Sequence, residues 1–450
     1  MEMLGLEEIK RAVGGKLIKK GTLEKFNKIT TDSRKVERDG IFFALKGENF
    51  NGNQYAENAL MAGAKLCIVD EEIQVNDELD GSILLVNDTR KALLDLAEYY
   101  RSKLDVKIVG ITGSTGKTST KDIVAAALSE KYKVFKTQGN FNNEIGVPLM
   151  IFKLDNSYDV GVLEMGMSNF GEIHNLAKAA RPDIAIITNI GISHIENLGS
   201  QEGILRAKME ITDFFNEDNL LIVNSDDELL NKIKEMNFKL IKCGIHKDAD
   251  IKAENVHLKE EEVSFSVTND DNSKTFSINA PGEHNILNGL LAIACSVELG
   301  LSFDGIEKGL ENLDRTSMRL EFIRNNGITI INDCYNASPQ SMKAALDVQS
   351  NVECMRRIAV LGTMLELGSV SYEAHKEVGE HAKAIGTDEL FVTGEFKDAY
   401  KDGFGESIKT FVSKDELINF LKSFIKTGDC ILVKASRGMK FEDIVDSINN

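Results

Sequence analysis

The stretch that decides the fold spans residues 106–132 and reads VKIVGITGSTGKTSTKDIVAAALSEKY. Its first six residues are mostly β-branched, a composition typical of a buried strand. The segment 118–132 has the pattern of a helix, and a glycine-rich turn joins the two. A buried strand, a glycine-rich turn and a helix in this order predict a phosphate-binding loop within an α/β fold.

The turn contains the residue types that bind a nucleoside triphosphate. Its glycines let successive backbone N–H groups point at phosphate oxygens, and the helix N-terminus adds a partial positive charge. We expect Lys117 to reach the terminal phosphates of ATP and Thr118 to bind Mg²⁺. The strict motif has a glycine at position 111, where this chain has Ile111, so the loop is a variant. A purely structural turn is the alternative. The residues predicted to bind ATP here are Gly113, Ser114, Thr115, Gly116, Lys117, Thr118 and Ser119.

Strand and helix patterns alternate downstream of the loop, which predicts a doubly wound, mostly parallel sheet. Residues 251–280 alternate between polar and apolar instead, which predicts a small antiparallel excursion. A chain of 450 residues exceeds what one core accommodates. The predicted fold class is α/β with three domains: a small N-terminal α/β domain (1–102), a central P-loop domain (103–313) and a C-terminal Rossmann-like α/β domain (314–450).

Composition restricts the partners of the chain. The formal net charge of −18 predicts repulsion of nucleic acids and anionic membranes, so anionic substrates would need local cations or a bound metal. No apolar run reaches the ~20 residues of a membrane span, and the N-terminus lacks the features of a secretory signal. We therefore expect a cytoplasmic protein. The six cysteines form no Cys-x-x-Cys pair, which predicts reduced and mostly buried thiols.

Two polar residues follow predicted strands on the side of the loop. Glu164 ends a buried apolar run, where a carboxylate is costly unless it is solvated, paired or bound to a metal. His194 follows the next strand region, although a histidine there is more often a hydrogen-bonded loop residue. Lys208 lies in a predicted helix, and sequence physics alone indicates a surface lysine.

Several segments resemble a known family, the Mur ligases of bacterial cell-wall synthesis. The similar segments include GITGSTGKTST, TQGNFNNEIGVPL, EMGMSNFGEI and ASPQSM, and the resemblance spans nearly the whole chain. It implies an ATP-dependent amide ligase with three domains that bind a UDP-sugar peptide, ATP and an incoming amine. Within the family, the resemblance implies addition of D-alanyl-D-alanine to UDP-N-acetylmuramoyl-tripeptide through an acyl phosphate.

The resemblance also implies roles for individual residues. Glu164 and His194 would hold two Mg²⁺ ions together with Lys208, which would react with carbon dioxide to become a carbamate. The contacts implied for ATP are Asn285, Asn288, Arg319, Asp333 and Asn336. The contacts implied for the UDP-sugar peptide are the uridine-binding residues Ser33, Arg34 and Lys46, with Asn140 and Asn143 near the transferring phosphate. The contacts implied for the dipeptide are His375, Lys434, Ser436 and Arg437. Asn51 and Asn53 stand where the family commonly has aspartate and histidine. The asparagines could also be ordinary turn or capping residues, and Arg319 a surface residue of a linker.

Three rival functions remain open at this point. A ligase that adds the third residue of the peptide shares the N-terminal motif, but its Asp-Asn-Pro-Arg motif is absent here. Folylpolyglutamate synthetases would lack the uridine-binding domain. A P-loop kinase or nucleotide-switched binding protein would need no dipeptide amine. The sequence identifies neither the third residue of the tripeptide nor a base for the amine. We expect a monomer with hinge motion near residue 314.

Overall fold

The computed structural model describes residues 1–234, 236–269 and 272–449. The chain divides into two compact units. The first comprises Met1–Thr112, Tyr132–Ala185 and Met209–Leu220, and the second comprises Gly113–Lys131, Ile186–Lys208 and Leu221–Asn450.

The N-terminal hundred residues of the first unit form a five-stranded sheet with order β2-β9-β8-β5-β4. Neighbouring strands are parallel except for the antiparallel pair β2–β9. The last helix of this region begins at Thr89. The carboxylate of the preceding residue, Asp88, accepts hydrogen bonds from two N–H groups of the first helical turn. The elements are β1 (Leu4–Gly5), α1 (Leu6–Val13), β2 (Lys16–Lys19), β3 (Lys25–Phe26), β4 (Ile29–Thr30), β5 (Ile41–Phe43), β6 (Lys46–Gly47), β7 (Phe50–Asn51), α2 (Ala56–Met61), β8 (Leu66–Val69), β9 (Ser82–Leu85) and α3 (Thr89–Arg101).

The middle of the chain contributes a nine-stranded sheet with order β11-β12-β10-β13-β14-β15-β16-β17-β18. Strand β12 pairs in parallel with β10 and β11, whereas β16, β17 and β18 are antiparallel to one another. The elements are β10 (Lys107–Thr112), α4 (Lys117–Leu128), β11 (Val134–Lys136), α5 (Gly146–Ile151), β12 (Val160–Glu164), α6 (Glu172–Ala180), β13 (Ile184–Ile187), α7 (Ile195–Leu198), α8 (Gln201–Met209), β14 (Leu220–Asn224), α9 (Glu228–Asn231), β15 (Lys239–Gly244), β16 (Ile251–Leu258), β17 (Val263–Asn269), β18 (Asn272–Ile278), α10 (His284–Glu298) and α11 (Phe303–Glu311). The predicted antiparallel excursion is therefore confirmed, apart from residues 270 and 271, which lie outside the described ranges.

The C-terminal part of the second unit is a six-stranded sheet with order β19-β20-β24-β21-β22-β23. Its strands are parallel except for the pair β19–β20. One apolar cluster includes residues of α12, α13 and α14, and a second includes residues of α15 and α16. The elements are β19 (Glu321–Asn325), β20 (Ile328–Asn332), α12 (Pro339–Ser350), β21 (Arg356–Leu361), α13 (Ser371–Ala384), β22 (Glu389–Thr393), α14 (Lys397–Phe404), β23 (Lys409–Phe411), α15 (Lys414–Phe424), β24 (Asp429–Lys434) and α16 (Glu442–Asn449).

The predicted α/β fold class with a mostly parallel central sheet is confirmed. The sequence did not predict the antiparallel strand β19 or the short strand β23. Both are short edge strands, and strands of this length give little periodicity in a sequence. All six cysteines are unpaired thiols, and only Cys354 is more than slightly exposed. None of the helices among the described residues is long and apolar enough to cross a bilayer.

Candidate active site

The glycine-rich loop lies between β10 and α4, as predicted. Gly113 and Gly116 have φ values of +152° and +80°, which side-chain-bearing residues adopt rarely. A Cβ atom on Gly113 would lie 1.8 Å from the Thr188 hydroxyl, so only glycine fits there. Gly116 immediately precedes α4, and the N–H groups of the first helical turn have no partner within the helix itself. This backbone arrangement suits an anionic ligand.

The loop is held by residues that follow β13. Asn189 accepts hydrogen bonds from two loop amides, Ser114 N–H at its carbonyl (3.1 Å) and Thr115 N–H at Oδ1 (2.9 Å). The Thr188 hydroxyl donates to the carbonyl of Thr115 at 2.5 Å. Sequence analysis missed Thr188 and Asn189 as loop supports. Their signal was the presence of polar side chains directly after a buried strand.

Lys117 and Thr118 begin α4 with their side chains on the loop. The Lys117 ammonium donates to the Gly113 carbonyl at 2.7 Å. The Thr118 hydroxyl is buried and accepts a hydrogen bond from Nη2 of Arg319 at 2.8 Å. The Arg319 guanidinium lies 4.1 Å from the ring centre of Tyr335. The structure thus brings Arg319 to the phosphate loop, and Ser119 is half-buried in the same helical turn.

Lys208 is buried near the end of α8, with 2% of its surface exposed. Within the described ranges, no hydrogen bond or ion pair is formed by its ammonium group. Burial, and secondarily the positive charge of Lys117, lower the pKa of Lys208 well below its ordinary value. The expectation of a surface lysine from sequence physics alone is therefore wrong. A lowered pKa favours the neutral amine, which is the nucleophilic form of a lysine side chain.

His194 lies in the second unit and has a left-handed backbone (φ +61°) just before α7. Its Nδ1 atom is 2.8 Å from a carboxylate oxygen of Glu366. This contact lowers the pKa of Glu366. Glu366 also has a positive φ of +64°. It lies in residues 361–375, a stretch that the resemblance to the Mur ligases implies for the dipeptide site, although Glu366 was not named individually.

Glu164 lies in the first unit, at the end of β12, and is 4% exposed. Its Oε1 accepts a hydrogen bond from Nδ2 of Asn142 at 2.9 Å, and its backbone N–H donates to the hydroxyl of Thr137. The two predicted asparagines flank Asn142. Asn140 is exposed, and Oδ1 of Asn143 accepts from two N–H groups at the start of α5. Their substrate roles stay predictions, and Asn142 is a residue that sequence analysis missed.

Asn285 and Asn288 are buried on α10 and form a hydrogen-bonded chain. Nδ2 of Asn288 donates to Oδ1 of Asn285 at 3.0 Å, and Nδ2 of Asn285 donates to the Pro281 carbonyl at 2.7 Å. Oδ1 of Asn288 accepts from the hydroxyl of Thr120 on α4 at 3.0 Å. These asparagines therefore connect α10 to the helix that follows the phosphate loop.

Asp333 and Asn336 follow β20 and meet Lys434 at the end of β24. The Lys434 ammonium donates to Oδ2 of Asp333 at 2.5 Å and to the Asn336 carbonyl at 2.8 Å. Oδ1 of Asp333 accepts from the Leu320 N–H at 3.1 Å. The structure thus brings together two predicted nucleotide contacts and one predicted dipeptide contact.

The other predicted dipeptide contacts differ in exposure. His375 is fully buried: its Nε2 accepts from the Met364 N–H at 2.9 Å, and its Nδ1 donates to the Ser371 carbonyl at 2.6 Å. Desolvation lowers the pKa of His375. The hydroxyl of Ser436 accepts from the Leu365 N–H, whereas Arg437 is exposed.

In the first unit, the predicted uridine-binding residues form two polar groups. Exposed Arg34 donates from Nε and Nη2 to the two carboxylate oxygens of Asp32, both at 2.9 Å, and this pairing lowers the pKa of Asp32 to about 2. Ser33 is half-buried beside it. Lys46 lies 3.0 Å from Asp70 and 2.9 Å from Glu71, both of which also accept from asparagine side chains. Those asparagines are Asn53 and Asn51.

The predicted magnesium ligands are Thr118, Glu164, His194 and Lys208. Among the described residues, no group of three or more His, Cys, Asp or Glu side chains is arranged to hold a metal. Glu164 and His194 alone therefore provide too few ligands for a metal ion, and a site here would also need the Thr118 hydroxyl and a carbamate on Lys208. Hydroxyl, carboxylate and carbamate oxygens are the hard ligands that Mg²⁺ prefers, so Thr118, Glu164 and a carbamate on Lys208 suit the ion, whereas the imidazole of His194 is a softer donor.

The parallel sheet and the glycine loop with its lysine and threonine define a phosphate-loop protein of the α/β class. Family profiles match most of the chain: "Mur ligase family, catalytic domain" at residues 25–101, "Mur ligase middle domain" at 111–296 and "Mur ligase, glutamate ligase domain" at 318–437. The chain belongs to the Mur ligase family.

Similar proteins extend over nearly the same length. The chain is 40% identical to the UDP-N-acetylmuramoyl-tripeptide–D-alanyl-D-alanine ligase of Bacillus subtilis (strain 168), over 93% of this chain and 92% of that protein. A crystal structure of MurF from Acinetobacter baumannii is 30% identical, with a TM-score of 0.92 over 100% of this chain and 99% of that one. MurF ligase from Thermotoga maritima, in complex with ADP, is 29% identical, with a TM-score of 0.85 over 94% and 97%.

Proposed function

We propose that this chain is an ATP-dependent ligase that joins D-alanyl-D-alanine to UDP-N-acetylmuramoyl-tripeptide. The products would be ADP, phosphate and the UDP-N-acetylmuramoyl-pentapeptide used in peptidoglycan synthesis. The observation that carries the proposal is the 40% identity, over 93% of the chain, to a ligase with these substrates in its name. The geometry of the glycine loop, with Lys117 and Thr118 at the start of α4, supports the use of ATP.

The chemistry requires activation of a carboxylate, because a carboxylate oxygen is a poor leaving group. In the proposed course, the tripeptide carboxylate attacks the γ-phosphorus of ATP, which gives an acyl phosphate and ADP. The neutral dipeptide amine then attacks the acyl carbon, and the tetrahedral intermediate expels phosphate while the nitrogen loses one proton, which leaves the amide. Lys117 would neutralise charge that develops on the transferring phosphoryl group.

Four residues would hold the two Mg²⁺ ions: Thr118, Glu164, His194 and the carbamate of Lys208. The ions would supply charge neutralisation for the phosphates. Burial of Lys208 supports the carbamate, because the lowered pKa favours the neutral amine, the form that reacts with carbon dioxide. The product is an anion, so a group that would repel a metal ion becomes a ligand for it.

We also propose which ligand each of the three domains binds. Residues 1–102 would bind the UDP-sugar peptide, with Ser33, Arg34 and Lys46 near the nucleotide and Asn140 and Asn143 of the next domain near the reacting group. Residues 103–313 would bind ATP, with adenosine and phosphate contacts completed by Arg319, Asp333 and Asn336 of domain 314–450. That domain would also bind the dipeptide near Lys434 and Arg437, with His375 and Ser436 shaping its loops. The protein would act in the cytoplasm as a monomer.

The first experiment measures ADP release from ATP with each UDP-tripeptide, carrying lysine or diaminopimelate, in the presence and absence of D-alanyl-D-alanine. We expect release that depends on both substrates. Release without the dipeptide would indicate a kinase or nucleotide switch and would reject the ligase. Activity with UDP-dipeptide and a free amino acid would indicate the ligase that adds the third residue, and activity with a folate substrate would indicate a folylpolyglutamate synthetase.

A further inference from the structure

The segment 312–320, which joins α11 to β19, is attached to α4 at two points. Thr118 and Asp122 lie one helical turn apart on α4, so they share a face, and both are buried. The backbone N–H and the hydroxyl of Thr316 both donate to Oδ2 of Asp122, at 3.1 and 2.8 Å. Arg319 donates to the hydroxyl of Thr118, as described above. The segment therefore spans one turn of the helix that follows the phosphate loop.

The Thr316 contact is a strong one because its acceptor is a buried carboxylate. Oδ1 of Asp122 lies 3.3 Å from the ammonium of Lys121, and both side chains are 3% exposed. Asp122 and Lys121 therefore form a buried ion pair. Hydrogen bonds to an ionised acceptor are about twice as strong as neutral ones.

The backbone on either side of Arg319 has an unusual conformation. Met318 and Leu320 have φ values of +58° and +49°, which cost free energy in residues with side chains. Neighbouring carboxylates hold this conformation: Met318 N–H donates to Glu321 at 3.0 Å, and Leu320 N–H donates to Asp333 at 3.1 Å.

Arg319 itself has few polar contacts that could orient it. Within the described ranges, its buried Nε atom has no hydrogen-bond partner. Apart from its contacts with Thr118 and the Tyr335 ring, its direction depends on the shape of the segment that carries it, and that shape depends on where the segment is anchored.

We infer that Asp122 and Thr316 form an anchor that positions Arg319 at the phosphate loop. Both are positioning residues, since they act through Arg319 and not on a reacting atom. The inference rests on the proposed function, in which Arg319 contacts the phosphates of ATP. It adds a residue of α4 and a residue of the connecting segment to the groups on which ATP use depends.

The test uses Thr316→Val, which removes the hydroxyl donor and keeps the shape of the side chain. Substitution of Asp122 is less informative, because it would remove the carboxylate beside buried Lys121. We expect Thr316→Val to lower kcat/KM for ATP about tenfold, as loss of a hydrogen bond to a charged group does. Thr316→Ser, which keeps the hydroxyl, should stay within about twofold of the parent chain. The matched control is Thr410→Val, at an exposed threonine of β23, and it should have no effect.

The decisive comparison repeats Thr316→Val in an Arg319→Ala background. If the anchor acts through Arg319, the second substitution should cost less than about twofold there, because coupled residues are not additive. Calorimetry with a non-hydrolysable ATP analogue should give the same non-additivity in binding affinity. An equal loss in both backgrounds, or no loss in Thr316→Val alone, overturns the inference.

The calorimetric measurement tests the anchor independently of the proposed ligase activity. If the parent chain releases ADP without the dipeptide, the ligase proposal fails. The binding measurements still decide the anchor in that case, since they need no turnover. If turnover depends on the dipeptide and the binding losses are additive, the ligase stands and the anchor is rejected.

Discussion

Lys208 and Lys434 are equally buried, with 2% of their surface exposed, but their surroundings differ. The ammonium of Lys434 donates to Asp333 and to the carbonyl of Asn336. Lys208 forms no such contact in the part of the chain that the structure describes, and burial lowers its pKa. A buried lysine with an anionic partner can stay charged and stabilise the fold, whereas one without a partner favours the neutral amine. Burial alone therefore does not decide the chemistry of a lysine.

The largest expected effect concerns the chemical reactivity that we propose for Lys208. We expect Lys208→Ala to lower ligase turnover on the order of a thousandfold, because it removes the proposed anionic ligand. Added formate or acetate should restore part of the activity, since the missing group is a carboxylate-like anion. Lys117→Ala should not respond to these anions, because it lacks a cation. ADP release measured with a series of carboxylate concentrations checks this, and full activity of Lys208→Ala would contradict the carbamate.

The second prediction concerns stability and removes the partner of Lys434. Asp333→Asn should lower the free energy of unfolding by about 3 kcal/mol, because it leaves a buried ammonium without its carboxylate. Lys208→Met should not destabilise the chain, since no ion pair is lost. Denaturant unfolding measures both variants.

The double variant Asp333→Asn, Lys434→Met provides the control for that loss. It should recover most of the stability, because the unpaired charge is gone. A loss below about 1 kcal/mol in Asp333→Asn alone would mean that Lys434 does not depend on this carboxylate.

The smallest effect is a difference in pH dependence. The unfolded chain has an ordinary lysine pKa at position 208, and the folded chain a lower one, so between these values the unfolded chain binds the additional proton. The free energy of unfolding should therefore rise with pH across this window, by about 1.4 kcal/mol per pH unit, and Lys208→Met should lack this contribution.

This measurement is made in buffers free of carbon dioxide, so that no carbamate contributes. Lys376→Met is the matched control, because contact with Glu373 raises the pKa of that half-buried lysine. It should keep the slope of the parent chain. Identical slopes in the parent chain and Lys208→Met would show that Lys208 is protonated in the folded protein.

Much of the fold was predictable from short-range patterns. The strand, glycine turn and helix around Lys117 were identified because sequence neighbours form them. The antiparallel strands after residue 250 were also predicted, because an alternating pattern is a local signal. The supports of the phosphate loop were missed, since Asn189 meets Thr115 across 74 residues of sequence.

The asparagine-rich segment after β11 shows that the sequence also fails to predict which of several neighbouring residues makes a contact. Sequence analysis selected Asn140 and Asn143, but Asn142 is the one that donates to Glu164. Asn140, Asn142 and Asn143 have the same side chain, so the sequence alone does not distinguish their roles. The direction of the backbone decides which of them points at the carboxylate.

The sequence by itself determined the phosphate-loop α/β class and the family, because both depend on the order of residues along short segments. Only the tertiary structure decided that Lys208 is buried with no counter-ion among the residues that the structure describes, that Lys434 is paired, and that Arg319 reaches Thr118. The physical reason is that desolvation and ion pairing depend on groups brought together from distant parts of the chain, such as Thr118 and Arg319, which are 201 positions apart in sequence.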